Sequence, residues 1–319
     1  MLFARDKSQM CNNLLQFAHV YAWAREHGRS VMSMRFSYKY KYFKISRSRF
    51  VSFPLYLCAK WLAALRLLPT ASFKYEDCDA AALEQKMLSH RHIVVSGWYA
   101  RWYDLFLKYR DEICDLFSID PQYTRRVTEW MTEQESAAGT TEKPIRLGVH
   151  IRRGDYAEWH GGQFYYSDEV YADFISRFIS LMPGRRVEVY IAGNDPNLSL
   201  SSLTPRCLSN PSAPSSYAAI SSQSPSSITP QPITLGRQEE VPLPPSGGDG
   251  GRCHLLRGNA VEDLFMLSQC DYLIGPPSTY SLVAAMYRDL PLCRMDMVVN
   301  HALTLQDFHP FDYWFRRIL

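Results

Sequence analysis

The chain has 319 residues, 46% of them hydrophobic and 21% charged, with a formal net charge of +3. That balance excludes a disordered or fibrous chain and leaves material for one large α/β unit or two smaller lobes. The charge alone is too small to imply a nucleic-acid partner.

Met1–Lys7 has neither the apolar run nor the cleavage site of a signal peptide. Leu14, Leu15, Ala18, Ala22 and Trp23 recur at helical spacing, so a helix is predicted over Asn12–His27, closed by Gly28. Val31–Met34 follows as a short strand. A helix-then-strand opening suits a Rossmann-like lobe whose first strand is short or missing before Gln9. No acid occurs between Glu26 and Glu76, a span holding ten lysines and arginines. Its 35–49 part interleaves aromatics with the cations. It reads as a solvated basic face, as a peripheral membrane-docking surface, or, last, as a nucleic-acid patch. Val51–Pro69 carries Pro54, Lys60 and Arg66, so it is excluded as a spanning helix but fits one lying on a surface.

Further strands are predicted at His92–Ser96, Arg146–Ile151, Val187–Ala192 and Asp271–Gly275. Helices are expected at Asp104–Phe117, Asp168–Leu181, Ala260–Cys270 and Tyr280–Tyr287. Asn259 and Glu262 have capping-box spacing. Thr132–Lys143 is polar and reads as a linker. Pro196–Gly251 holds ten of the chain's 19 prolines and many serines, and is expected to be a disordered insertion. Alternation of strands and helices on both sides of it argues for a parallel sheet. The eight cysteines are scattered, without Cys-x-x-Cys or zinc-ligand spacing, and read as free thiols of a reducing compartment.

Two places carry chemistry. In the strand ending at Ile151, alternation sends His150 and Arg152 to one face and Ile151 and Arg153 to the other. Gly154 then permits a turn at the carboxyl end of the strand, where open α/β sheets bind ligands. Arg152, beside His150, is placed to meet phosphate oxygens with its planar fork. Arg153 is expected to tie the turn to a carboxylate. A purely structural pair of arginines is the competing reading. The second place is Asp263 with Ser278 and Thr279. The hydroxyls precede a helix and can join its free N–H groups around an anion, or simply cap it. Asp263 can accept two hydrogen bonds from a guanine edge, or merely complement a helix dipole.

His150–Tyr156 reads HIRRGDY and Asp263–Ser281 reads DLFMLSQCDYLIGPPSTYS. Cys11–Ala18 reads CNNLLQFA, and Gly97–Tyr103 reads GWYARWY. In this order the four segments resemble the motifs of the α-1,2-fucosyltransferase family, glycosyltransferase family 11, within the wider fucosyltransferase superfamily. Cys11 and Asn13 stand where that family has glycine and glutamine. Leu282-Val283 replaces an aromatic pair, and the 196–251 insertion has no counterpart.

The resemblance implies an α/β GT-B fold of two Rossmann-like lobes with parallel sheets. Residues 1–143 would form the acceptor-side lobe and 144–319 the GDP-sugar-binding lobe. It implies an inverting transfer of L-fucose from GDP-fucose to a galactoside 2-hydroxyl of an oligosaccharide or lipid-linked glycan. No metal and no cofactor beyond the donor are expected, and no nucleic acid. His150 and Asp263 would hold the nucleotide, Asn12 would sit near the donor between the lobes, and Arg152 with Ser278 and Thr279 would stabilise the diphosphate. Asp155 is the first candidate for the base that takes the acceptor proton, with Glu158 and His160 next, although a turn-forming Asp155 is an equal reading. Without the family's membrane anchor, a cytoplasmic enzyme of surface-glycan synthesis is expected. A fucosyltransferase of other linkage and a catalytically silent binding module are the alternatives.

Overall fold

The computed structural model describes residues 1–5, 8–34, 40–136, 142–203, 239–242 and 251–317, with 239–242 described as backbone. Two sheets organise the chain. In the first, β1 (Leu2–Arg5) lies between β2 (Val31–Ser33) and β4 (Ile93–Ser96), and β3 (Thr70–Ser72) pairs with β4 at the edge. All its pairings are parallel. The connections are α1 (Met10–Glu26) from β1 to β2, α2 (Phe53–Ala64) from β2 to β3, and α3 (Ala80–Ser89) from β3 to β4. The short first strand is therefore present and central. Leu2 and Ala4 face the core under α1, while Phe3 faces the other side with Met32 and Val94.

Three helices, α4 (Tyr103–Lys108), α5 (Arg110–Leu116) and α6 (Pro121–Ser136), lead to the second sheet. The single helix expected over Asp104–Phe117 is two, broken at Tyr109. The linker expected over Thr132–Lys143 also needs correction. Its first five residues complete α6, whose Val127, Trp130 and Met131 are buried at helical spacing; 137–141 lie outside the described residues.

The second sheet runs β10-β9-β5-β6-β8-β7. Its strands are β5 (Ile145–Ile151), β6 (Val187–Gly193), β7 (Glu239–Pro242), β8 (Arg252–Leu255), β9 (Tyr272–Gly275) and β10 (Leu292–Arg294). Pairings are parallel except β7 with β8. Helix α7 (Asp168–Ser180) joins β5 to β6, and α8 (Leu200–Leu203) follows β6. Then come α9 (Ala260–Ser268), α10 (Thr279–Met286), α11 (Met295–Val298) and α12 (Phe311–Phe315).

The predicted capping box opens α9: Asn259 Oδ1 accepts from the Val261 and Glu262 N–H groups, and Glu262 accepts from Asn259 N–H at 2.9 Å. The insertion is shorter than expected. Leu198, Leu200 and Leu203 are buried in the core of the second sheet, so their apolar spacing orders the start of that span, and β7 lies within it. The remainder, 204–238 and 243–250, lies outside the described residues.

The two sheets share a core. Helix α12 returns to the first lobe, where Phe315 stacks on buried His19 at 5.2 Å and packs at a tilt on Phe106 at 4.3 Å. Arg110 donates to Met286 O, and the Tyr287 hydroxyl donates to Phe117 O at 2.8 Å. Among the described residues the seven cysteines are free, and no helix is long and apolar enough to cross a membrane.

At the end of β4, Gly97 has φ +112°, and an added Cβ would lie 2.1 Å from Phe73 O. Backbone, unlike a side-chain tip, has no easy way to yield. Gly97→Ala is expected to cost about 3 kcal/mol of stability; an unchanged midpoint in chemical denaturation would contradict this geometry.

Candidate active site

Because the strands of each sheet are parallel, their carboxyl ends gather on one edge, and the two edges face each other across a cleft of about 1030 Å³. Arg5, Ser72 and Ser96 from the ends of β1, β3 and β4 line one wall. Arg152, Gly193 and Arg294, at the ends of β5, β6 and β10, line the other, with Pro276 just beyond β9. Asn12, His150, Arg152, Asp155, Asp263, Ser278 and Thr279, spread over 268 positions of sequence, all line this one space. Glu158 and His160 do not.

The alternation in β5 holds. Val149 and Ile151 enter the core beneath α7, while His150 and Arg152 turn to the cleft side. His150 is buried, and its Nδ1 lies 2.7 Å from Ser281 Oγ, with the Tyr280 ring at 4.8 Å. Burial, reinforced by the Arg152 charge, lowers its pKa to about 3, so the imidazole is neutral at physiological pH. A neutral ring can offer a hydrogen bond to a nucleotide but adds no charge.

Arg152 is the charged group of the floor. Its Nη2 binds Asp155 at 2.7 and 2.9 Å, and its guanidinium lies 5.5 Å from the Tyr156 ring centroid. Its Nε is buried without a hydrogen-bond partner. The side chain is 21% exposed, against 58% for Asp155. Arg153 is the structural member of the pair. It binds Asp195 at 2.9 Å and also Asp168, and its backbone N–H donates to Asn194 at 2.7 Å. Gly154, at φ +65°, makes the turn, and the Tyr156 hydroxyl fastens it to Pro277 O at 2.7 Å.

That contact joins the turn to the start of α10. Ser278 caps the helix, accepting from Tyr280 N–H at 3.2 Å. Thr279 Oγ1 instead donates across the cleft to Asn12 Oδ1 at 2.5 Å, and Asn12 Nδ2 donates to Ser8 at 2.9 Å. Both hydroxyls are therefore engaged in the unliganded chain, and what remains for an anion is the positive end of the helix. Asp263 is partly buried in the cleft wall. Burial raises its pKa to about 7, against the opposing hydrogen bond from Gly258 N–H. Cys11, the residue in the glycine position of the motif, lines the cleft with its thiol held protonated by burial. Asn13 is buried and donates to Ser8 O.

Several residues in or behind the cleft wall escape sequence reading. Ser281, the partner of His150, lies inside a quoted motif but behind two prominent hydroxyl residues. Trp98 lines the first wall with the Arg101 guanidinium stacked 3.8 Å from its ring. Arg294 ends a three-residue strand too short to announce itself, and Asn194 directly follows β6. Among the described residues no group of three His, Cys, Asp or Glu side chains is arranged to hold a metal ion.

No family model and no curated protein matches the chain. Solved structures do. Arabidopsis thaliana FUT1, in an arginine-to-lysine mutant bound to GDP, matches with TM-score 0.59 and 13% identity over 92% of this chain and 70% of that one. The fucosyltransferase NodZ from Bradyrhizobium, in its selenomethionine form, matches with TM-score 0.51 and 12% identity over 95% and 96%. NodZ α-1,6-fucosyltransferase soaked with GDP-fucose matches with TM-score 0.50 and 11% identity over the same shares. At such identities the likeness is one of architecture, and it establishes that the chain adopts the GT-B fold seen in these fucosyltransferases.

Proposed function

We propose that the chain is an inverting glycosyltransferase that takes L-fucose from GDP-fucose and passes it to a glycan hydroxyl. The observation that carries this reading is Arg152, a guanidinium with a buried, unpartnered N–H at the floor of the cleft, beside the N-terminus of α10. In fucosyl transfer the leaving group is a diphosphate whose negative charge grows in the transition state. A fixed guanidinium and a helix N-terminus, prearranged in a water-poor cleft, stabilise that charge. FUT1 bound to GDP and NodZ soaked with GDP-fucose lend support, since both share this fold. The galactoside 2-hydroxyl is proposed as acceptor on the motif resemblance; a glycan panel with linkage analysis of the product decides it.

The protein's own residues divide the work as follows. His150, neutral and held by Ser281, and Asp263 receive the nucleoside. Asn12, joined to Thr279, brings the first lobe to the donor. The transfer runs without a metal, the diphosphate charge resting on Arg152 and α10. Of the three groups considered for the acceptor proton, Asp155 alone lines the cleft. It is held by Arg152 in the unliganded chain, and a diphosphate that takes over Arg152 releases its carboxylate within the cleft.

Arg152→Ala is expected to lower kcat/KM for GDP-fucose about 100-fold or more while leaving the unfolding midpoint in place; unchanged turnover would remove Arg152 from the site. Asp155→Asn is expected to reduce kcat about 100-fold with the donor KM little altered. A raised donor KM at unchanged kcat would assign Asp155 to holding Arg152 instead.

Asp263 gives a pH signature. A guanine edge donates two N–H groups, which an ionised carboxylate accepts and a protonated one does not. With a pKa of about 7 in the free chain, Asp263 must lose a proton before it can bind. GDP-fucose affinity, measured by calorimetry, is therefore expected to rise about tenfold per pH unit below 7 and to level off above it. The Asp263→Asn variant should show no such slope; a wild-type affinity flat from pH 6 to 8 would refute the contact.

A further inference from the structure

Helix α2 covers the outer face of the first sheet, opposite α1, and it does so with its smallest face. Only Tyr56, Ala59 and Ala63, together with Leu68 beyond it, pack on Phe3, Met32 and Val94. The opposite stripe of Pro54, Cys58, Trp61 and Leu65 follows helical spacing and is exposed. Phe53 is 56% exposed, Leu55 45%, Trp61 64%, Leu62 42%, Leu65 65% and Leu67 71%. These are six of the twelve large hydrophobic residues exposed among the described residues, gathered within fifteen positions. A surface helix of a globular protein turns such residues inward and puts polar ones outside. Lys60 is the one charged residue of this helix, and its stripe of Pro54, Cys58, Trp61 and Leu65 is turned to solvent.

The charge around it identifies the partner. Lys60 and Arg66 are the charged residues of 53–68; both are exposed, and neither forms a salt bridge among the described residues. The basic 35–49 stretch contributes less than its sequence suggests, because Lys44 binds Asp115, Arg47 binds Asp120, and 35–39 lie outside the described residues. Two copies of this face pressed together would set Lys60 and Arg66 against each other, and 53–68 holds no acid to offset them. An anionic bilayer instead accepts the apolar stripe below its headgroups and the cations among them, with tryptophan at the boundary. Twelve helical residues are too few to span but enough to lie in the interface. We infer that the 53–67 face of α2 seats the protein on an anionic membrane surface.

Ser33 N–H bonds Phe50 O at 2.9 Å, so α2 begins beside the carboxyl end of β2 and its exposed stripe runs on toward the start of β3.

Vesicle flotation of the full chain tests this. The chain is expected to float with phosphatidylcholine vesicles containing phosphatidylglycerol, less with phosphatidylcholine alone, and less at high salt. The combined Trp61→Ser, Leu65→Ser, Leu67→Ser variant, with unchanged circular dichroism, should bind at least about tenfold more weakly. Wild-type chain that ignores both vesicles, or a variant that floats equally well, overturns the inference. So does a wild-type dimer, seen by sedimentation, that the variant converts to monomer without any vesicle binding, which gives the face to a second copy.

Discussion

A guanidinium kept at the foot of a cleft has to be held by something, and how Arg152 is held shapes the rest of the molecule. Its neighbour Arg153 is held by two carboxylates, Asp168 and Asp195, although its own Nε is also buried without a partner. Arg152 is given one carboxylate and one aromatic ring, and its Nε is left unmatched. A buried donor without a partner costs roughly 1–3 kcal/mol, and an anionic ligand recovers that cost on binding. The strand that presents Arg152 also buries His150, and that burial keeps the ring neutral. Of the pair that this strand turns to the cleft, Arg152 therefore carries the positive charge.

Parallel sheets make this arrangement possible. Carboxyl ends of strands collect on one edge of each lobe, and the two edges are held face to face by packing between the lobes. Helix α12 lies against α1 and α4, and Arg110 and Tyr287 bond backbone oxygens across the lobes. At the cleft itself a hydrogen bond from the Thr279 hydroxyl to Asn12 joins the lobes. A rigid base beneath a lightly latched mouth suits a site that must admit two substrates.

Much of the second lobe was legible because its signals are local. The alternation of HIRRGD, the Asn259–Glu262 box and the apolar runs of β6 and β9 all mean in the structure what they mean in the sequence. The separation of Arg152 from Arg153 followed from period-two geometry alone. The first lobe was harder to read. Strand β1 is four residues long and β2 three, too short for a pattern; β2 is specified by pairing with β1, and β1 by pairing with β4, which lies about ninety residues away. Helix α6 was hidden by its polar surface, since only Val127, Trp130 and Met131 mark its inner face. The start of the 196–251 span is ordered by Leu198, Leu200 and Leu203, three leucines outweighed in the sequence by the surrounding serines and prolines. Ser281 and Arg294 became visible only once chain ends and helix starts met in space.

The most direct test is a crystal structure of the chain with GDP. The diphosphate is expected to lie against Arg152 and the first turn of α10, with guanine facing Asp263 and His150. GDP bound away from Arg152, or absent from the cleft at saturating concentration, would contradict the account.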